Sequence, residues 1–155
     1  MPVDQEGAVA VNAEPHRLEI RRHIAANRES LFRQWTTAEL LERFICPGNT
    51  GARVVADVRV GGKFHIDMYG AKGEVWPHDG EYLEVDAPRR LRFTWVSLAS
   101  PAELGSVVTI DFVEVNGGTD IVLVQDRFAD AKALTGHQEG WTKILEQVAD
   151  VHVPG

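Results

Sequence analysis

Two periodicities divide this chain. Between Val54 and Gln125 apolar residues mostly return at every second position, and from Leu134 to Val148 they return at steps of three and four. The second pattern predicts a helix whose buried stripe carries Leu134, His137, Trp141, Ile144, Leu145 and Val148. Glu139, Lys143, Glu146 and Gln147 fall off the stripe and are expected to stay wet. A single long amphipathic helix after a run of strands has one obvious place to bury its stripe, the sheet itself.

The strands follow from the alternation. Residues 16–24 set Leu18, Ile20 and Arg22 against Arg17, Glu19 and Arg21, a first strand. Asn27 is a good N-cap for two short helical pieces, one with Leu31, Phe32 and Trp35, the other with Leu40, Leu41 and Phe44. They break near Thr36 and Thr37 and stop before Pro47. A strand over 52–60 then turns at Gly61-Gly62 into Lys63 to Tyr69, with Phe64, Ile66 and Met68 on one face. After a turn over 70–73, a strand over 74–85 puts Trp76, His78 and Tyr82 on one parity. A distortion is expected there at Pro77, which has no N–H for the ladder. Leu91, Phe93 and Trp95 define the next strand, and 97–105 a loop. Val108, Ile110 and Phe112 mark another strand, Asn116-Gly117-Gly118 its hairpin, and Ile121 and Leu123 the partner.

The order is therefore β, two short helices, six strands and a long helix, an α+β chain. Connections of hairpin length make the sheet antiparallel. Such a sheet twists and curls, and its concave face is expected to wrap the C-terminal helix around an apolar cavity.

Length and charge narrow the function classes. The 155 residues suit one domain over 16–152, preceded by a polar, acidic stretch over 1–15 that is expected to be a flexible tail. A net charge of −7 gives no electrostatic support to a nucleic-acid or anionic-membrane partner. No stretch approaches the roughly 18 apolar residues of a membrane span, and no secretory signal is expected. The one cysteine, Cys46, excludes an internal disulfide and fits a reducing cytoplasm.

Six histidines raise the question of a metal: His16, His23, His65, His78, His137 and His152. They lack the spacing of a zinc site, and no phosphate-cradling or dinucleotide fingerprint is present, so neither metal nor cofactor is expected. His65 and Asp67 share a strand face opposite the apolar set and are expected outside. His137 precedes Trp141 by one helical turn on the apolar stripe. There it can orient a polar ligand group, act as a general base, or be a core histidine satisfied by a neighbour. His78, Tyr82 and Gln125, if inward, would add polar points to an apolar wall. That wall is expected from Phe64, Ile66, Met68 and Trp76, from Phe93, Trp95, Ile110, Phe112 and Leu123, and from Trp141 and Ile144 of the helix. Its aromatics offer flat apolar surface to a guest, or simply pack a core.

Several runs in order carry a resemblance: Trp35 to Leu41, Asp57 to Phe64, Gly80 to Pro88, Leu91 to Trp95 and His137 to Trp141. Together they resemble the AHSA1-type family, named for the activator of Hsp90 ATPase, within the START/Bet v 1-like (SRPBCC) superfamily. The resemblance spans about residues 16–150. It implies a helix-grip fold, a curved antiparallel sheet gripping the C-terminal helix around an apolar cavity. Phe44-Ile45-Cys46-Pro47 departs from the aromatic pair expected before the proline.

Three functions are compatible with this reading. The favoured one is a binder of a hydrophobic or amphipathic small molecule such as a lipid, acting as a monomer or homodimer. An alternative is a cavity enzyme of the cyclase or aromatase kind using His137 or His78. Another is an Hsp90-co-chaperone-like interaction module, which should display an exposed patch. On the favoured reading, Trp141→Ala is expected to weaken binding more than folding.

Overall fold

A computed structural model describes residues 17–98, 106–127 and 131–151. The stretch over 1–15, most of the loop after Leu98, His16 and His152 lie outside the described residues. The elements come in the expected order: β1 (Leu18–Ile24), α1 (Arg28–Thr36), α2 (Ala38–Leu41), β2 (Ala52–Ala56), β3 (Lys63–Tyr69), β4 (Val75–Asp86), β5 (Arg90–Ser97), β6 (Ser106–Val115), β7 (Gly118–Asp126) and α3 (Ala131–Val151). They build one seven-stranded sheet in the order β1-β7-β6-β5-β4-β3-β2, antiparallel throughout. Strands β2 to β7 follow one another as a meander. β1 then pairs with β7, setting Leu18 opposite Gln125 and Ile20 opposite Leu123.

The period of two fixes which side chains face inward. Phe64, Ile66 and Met68 of β3, Leu91, Phe93 and Trp95 of β5, Ile110 and Phe112 of β6, and Ile121 and Leu123 of β7 are all buried. They join Trp141, Ile144, Leu145 and Val148 of α3 in one core. The N-terminal part of the α3 stripe is shallower: Leu134 and His137 are half-buried. Asn27 caps α1 as expected, its Oδ1 accepting from the Ser30 amide at 2.8 Å.

Four expectations are corrected. β2 ends at Ala56 rather than residue 60. The Asp57 amide donates to the Lys63 carbonyl, and Gly61 and Gly62 exchange backbone bonds with Tyr82, so residues 57–62 form a tight turn tied to β4. The irregularity in β4 falls between Tyr82 and Glu84 instead of at Pro77. Pro77 pairs regularly with Asp67, and its carbonyl accepts from Leu98, just beyond the end of β5. The missing N–H therefore faces a place where the ladder stops anyway.

Trp76 has the inward parity, opposite Met68, yet is 41% exposed. It sits at the end of the sheet with its ring leaning over Gly70. Gln147, expected to stay wet, is half-buried and joins α3 to the chain after α2. It accepts from the Gly48 amide and donates to the carbonyls of Phe44 and Cys46, each at 2.8 Å.

Candidate functional site

Nine buried side chains surround a cavity of about 20 Å³. Phe64, Ile66, Tyr82, Leu91, Phe93 and Trp95 supply the sheet side, and Trp35, Leu41 and Ile45 the roof. This cavity lies under the α1–α2 segment. Trp141 stands behind the wall, its ring centroid 5.0 Å from that of Trp95 and 6.4 Å from that of Trp35. Of the expected wall, Phe64, Ile66, Tyr82, Phe93 and Trp95 come together here. Met68, Ile110, Phe112, Leu123 and Ile144 are buried in the core outside this cavity, and His78, His137 and Trp76 do not line it. Trp35, Leu41, Ile45 and Leu91 line this cavity without belonging to the expected wall; the apolar residues of the two short helical pieces are the signal for the roof.

The wall is held by aromatic contacts. Phe64 meets Phe93 edge-on at 5.4 Å and 87°, and meets Tyr82 at 5.3 Å. Its cross-strand partner is Gly80, and a Cβ there would run into the Phe64 ring. His78 lies against Trp95 at 4.9 Å, with Nδ1 3.0 Å from the Trp76 carbonyl. Burial, reinforced by the Asp57 charge, pushes the Tyr82 hydroxyl up to about 12, so it stays protonated at neutral pH.

The polar atoms of the core divide into two groups. Trp141 Nε1 donates to Gln125 Oε1 at 2.6 Å, Gln125 Nε2 donates to Ser106 Oγ at 3.1 Å, and Ser106 Oγ donates to the Trp95 carbonyl. This chain satisfies Gln125 internally. In contrast, Nε1 of Trp35 and Nε1 of Trp95 are buried with no partner among the described residues. Among the described residues, no three of His, Cys, Asp and Glu are grouped so as to hold a metal ion.

The sequence matches the family described as "Activator of Hsp90 ATPase homolog 1-like protein" over residues 25–152. The chain belongs to this family. Solved structures share the fold of this AHSA1-family chain. Protein CV1439 from Chromobacterium violaceum is 25% identical with a TM-score of 0.80, covering 92% of this chain and 100% of its own. Protein NE0264 from Nitrosomonas europaea is 25% identical with a TM-score of 0.75, covering 90% and 95%. The AHSA1 protein SPO3351 from Silicibacter pomeroyi is 24% identical with a TM-score of 0.74, covering 86% and 95%. No curated protein matches the chain. No helix among the described residues is long and apolar enough to cross a membrane.

The outer face of this AHSA1-family sheet carries His65, as its parity required. Nδ1 lies 2.6 Å from Asp79 of the neighbouring strand, and Nε2 lies 2.9 Å from Asp67. The bond to Asp79 and then that to Asp67 hold its pKa above the usual 6.5, against a smaller opposing effect of burial. A raised folded pKa gives stability that is fully present below the unfolded value and is lost as pH rises through the folded one. With the side chain 42% exposed, the contribution should be below about 1 kcal/mol. Urea titrations across that window should show wild type losing stability and His65→Gln staying flat; parallel curves would contradict the assignment.

Proposed function

We propose that this domain binds a hydrophobic or amphipathic small molecule in the core cavity, admitted by displacement of the α1–α2 roof. The observation that carries the reading is the composition of the wall. All nine residues are aromatic or aliphatic, with no carboxylate, histidine or lysine among them. Such a wall can enclose apolar surface, at roughly 25 cal/mol per Å² buried, but offers no acid–base pair for turnover. His78 is packed on Trp95, and the protonated Tyr82 is a hydrogen-bonding group rather than a base. This favours a binder over a cyclase-like enzyme.

The cavity as it stands is large enough for about one water, which needs ~10–15 Å³, whereas ligand pockets run to roughly 300 Å³ or more. Binding therefore requires the roof to move. The roof consists of a nine-residue and a four-residue helix, followed by a connection with left-handed backbone at Gly48, Asn49 and Gly51. An amide NMR titration with sterols, fatty acids and small aromatics tests the reading. Shifts should cluster on Trp35, Leu41, Ile45 and Trp95. A set of ligands that leaves all four unmoved at saturation would overturn it. A cytoplasmic setting is part of this proposal, supported by the buried free thiol of Cys46.

A second reading, docking to a chaperone partner, is favoured by exposed Val75, Trp76 and Leu98 at one end of the sheet. Under it, Trp76→Ser weakens binding to a purified Hsp90-type chaperone. Equal binding by wild type and variant, or none by either, removes this reading.

A further inference from the structure

We infer that the cavity selects a neutral apolar guest bearing an acceptor oxygen, a ketone or ether type of group, held by the indole N–H groups of Trp35 and Trp95. This rests on the cavity being the binding site. Three tryptophans lie in the core, and their hydrogen bonding divides by position. Trp141 does not line the cavity, and its Nε1 reaches Gln125 at 2.6 Å. Trp35 and Trp95 both line it, and both keep a buried Nε1 without an acceptor among the described residues. The core thus satisfies the indole of the tryptophan away from the cavity and leaves unmet the donors of the two tryptophans that line it.

The chemistry of those groups fixes the partner. An indole N–H only donates, so its complement must be an acceptor. Buried polar groups are ordinarily paired, and a site left with an unmet donor rejects an analogue lacking the matching atom. No cation lines the cavity, so a carboxylate would bring an uncompensated buried charge. The third polar group of the wall, the Tyr82 hydroxyl, stays neutral through the physiological range and adds no charge. A neutral oxygen on an apolar frame fits these conditions; a plain hydrocarbon and an anion do not.

Acetophenone and α-methylstyrene differ by an oxygen replaced with CH₂ at nearly constant shape, and benzoate supplies the anion. Titration of the wild-type chain is followed on the indole N–H resonances of its four tryptophans. Trp76, exposed, and Trp141, already bonded to Gln125, serve as internal references. Acetophenone should move the Trp35 and Trp95 resonances and bind ~10-fold or more tighter than α-methylstyrene, with benzoate weaker than acetophenone. Trp95→Phe, or Trp35→Phe, keeps the apolar wall and should bring the two neutral probes to within about threefold of each other. If both neutral probes bind equally to wild type, moving cavity amides but not these indoles, the acceptor inference fails and the cavity reading stands. If neither binds, the acceptor inference fails, and the cavity reading fails with it when the sterols, fatty acids and other aromatics also leave Trp35, Leu41, Ile45 and Trp95 unmoved.

Discussion

Trp141→Ala is expected to lower the unfolding free energy by about 4 kcal/mol, within the range for deleting a buried tryptophan. This reverses the order suggested by the sequence, in which binding would suffer more than folding. Trp141 is only 2% exposed and touches the rings of both Trp35 and Trp95. Its Nε1 is also the donor to Gln125, a fully buried amide. Alanine would open a hole at the junction of helix and sheet and leave the Gln125 oxygen unpaired. Trp141→Phe separates these effects: most of the ring remains, and a loss of roughly 1–3 kcal/mol reports the unpaired acceptor. Urea unfolding with an unchanged m-value measures both. A loss under about 1 kcal/mol for the alanine variant would show that the core closes around the gap.

The features legible in the sequence are those written in local periodicity. Alternation from Phe64 to Met68 and from Leu91 to Trp95 sets the faces of β3 and β5, and the three-and-four spacing from Trp141 to Val148 sets the buried side of α3. Features depending on distant partners were less legible. Trp76 has the right parity, but parity says nothing about where the covering layer ends. Gln147 lies off the apolar stripe, and its partners at Phe44, Cys46 and Gly48 are about a hundred residues away in the chain. The roof is hidden for the same reason: Trp35 and Leu41 read as apolar faces of short helices, while which part of the sheet they cover is a tertiary fact. The two unmet indole donors are equally invisible in sequence, because all the core tryptophans look alike until their surroundings are known.

Gly80→Ala should cost about 3 kcal/mol, more than its exposed-turn counterpart Gly117→Ala, although only Gly117 has a left-handed backbone, at φ +85°. At Gly117 an added Cβ meets nothing within 4 Å, so the cost is confined to backbone strain, about 1 kcal/mol. At Gly80 the Cβ meets the Phe64 ring and the Thr94 carbonyl together. The ring can rotate only by leaving the cavity wall, and the carbonyl belongs to the adjacent strand, so neither yields cheaply. Phe64→Leu removes one obstacle and not the other. The double variant Phe64→Leu, Gly80→Ala should therefore be more stable than the sum of the single losses by about 1 kcal/mol. Strict additivity would place the whole penalty on the Thr94 backbone, and equality with Gly117→Ala would mean that neither contact limits this site. A substantial coupling would instead show that the missing side chain at Gly80 is what allows Phe64 to lie flat enough to form the cavity wall.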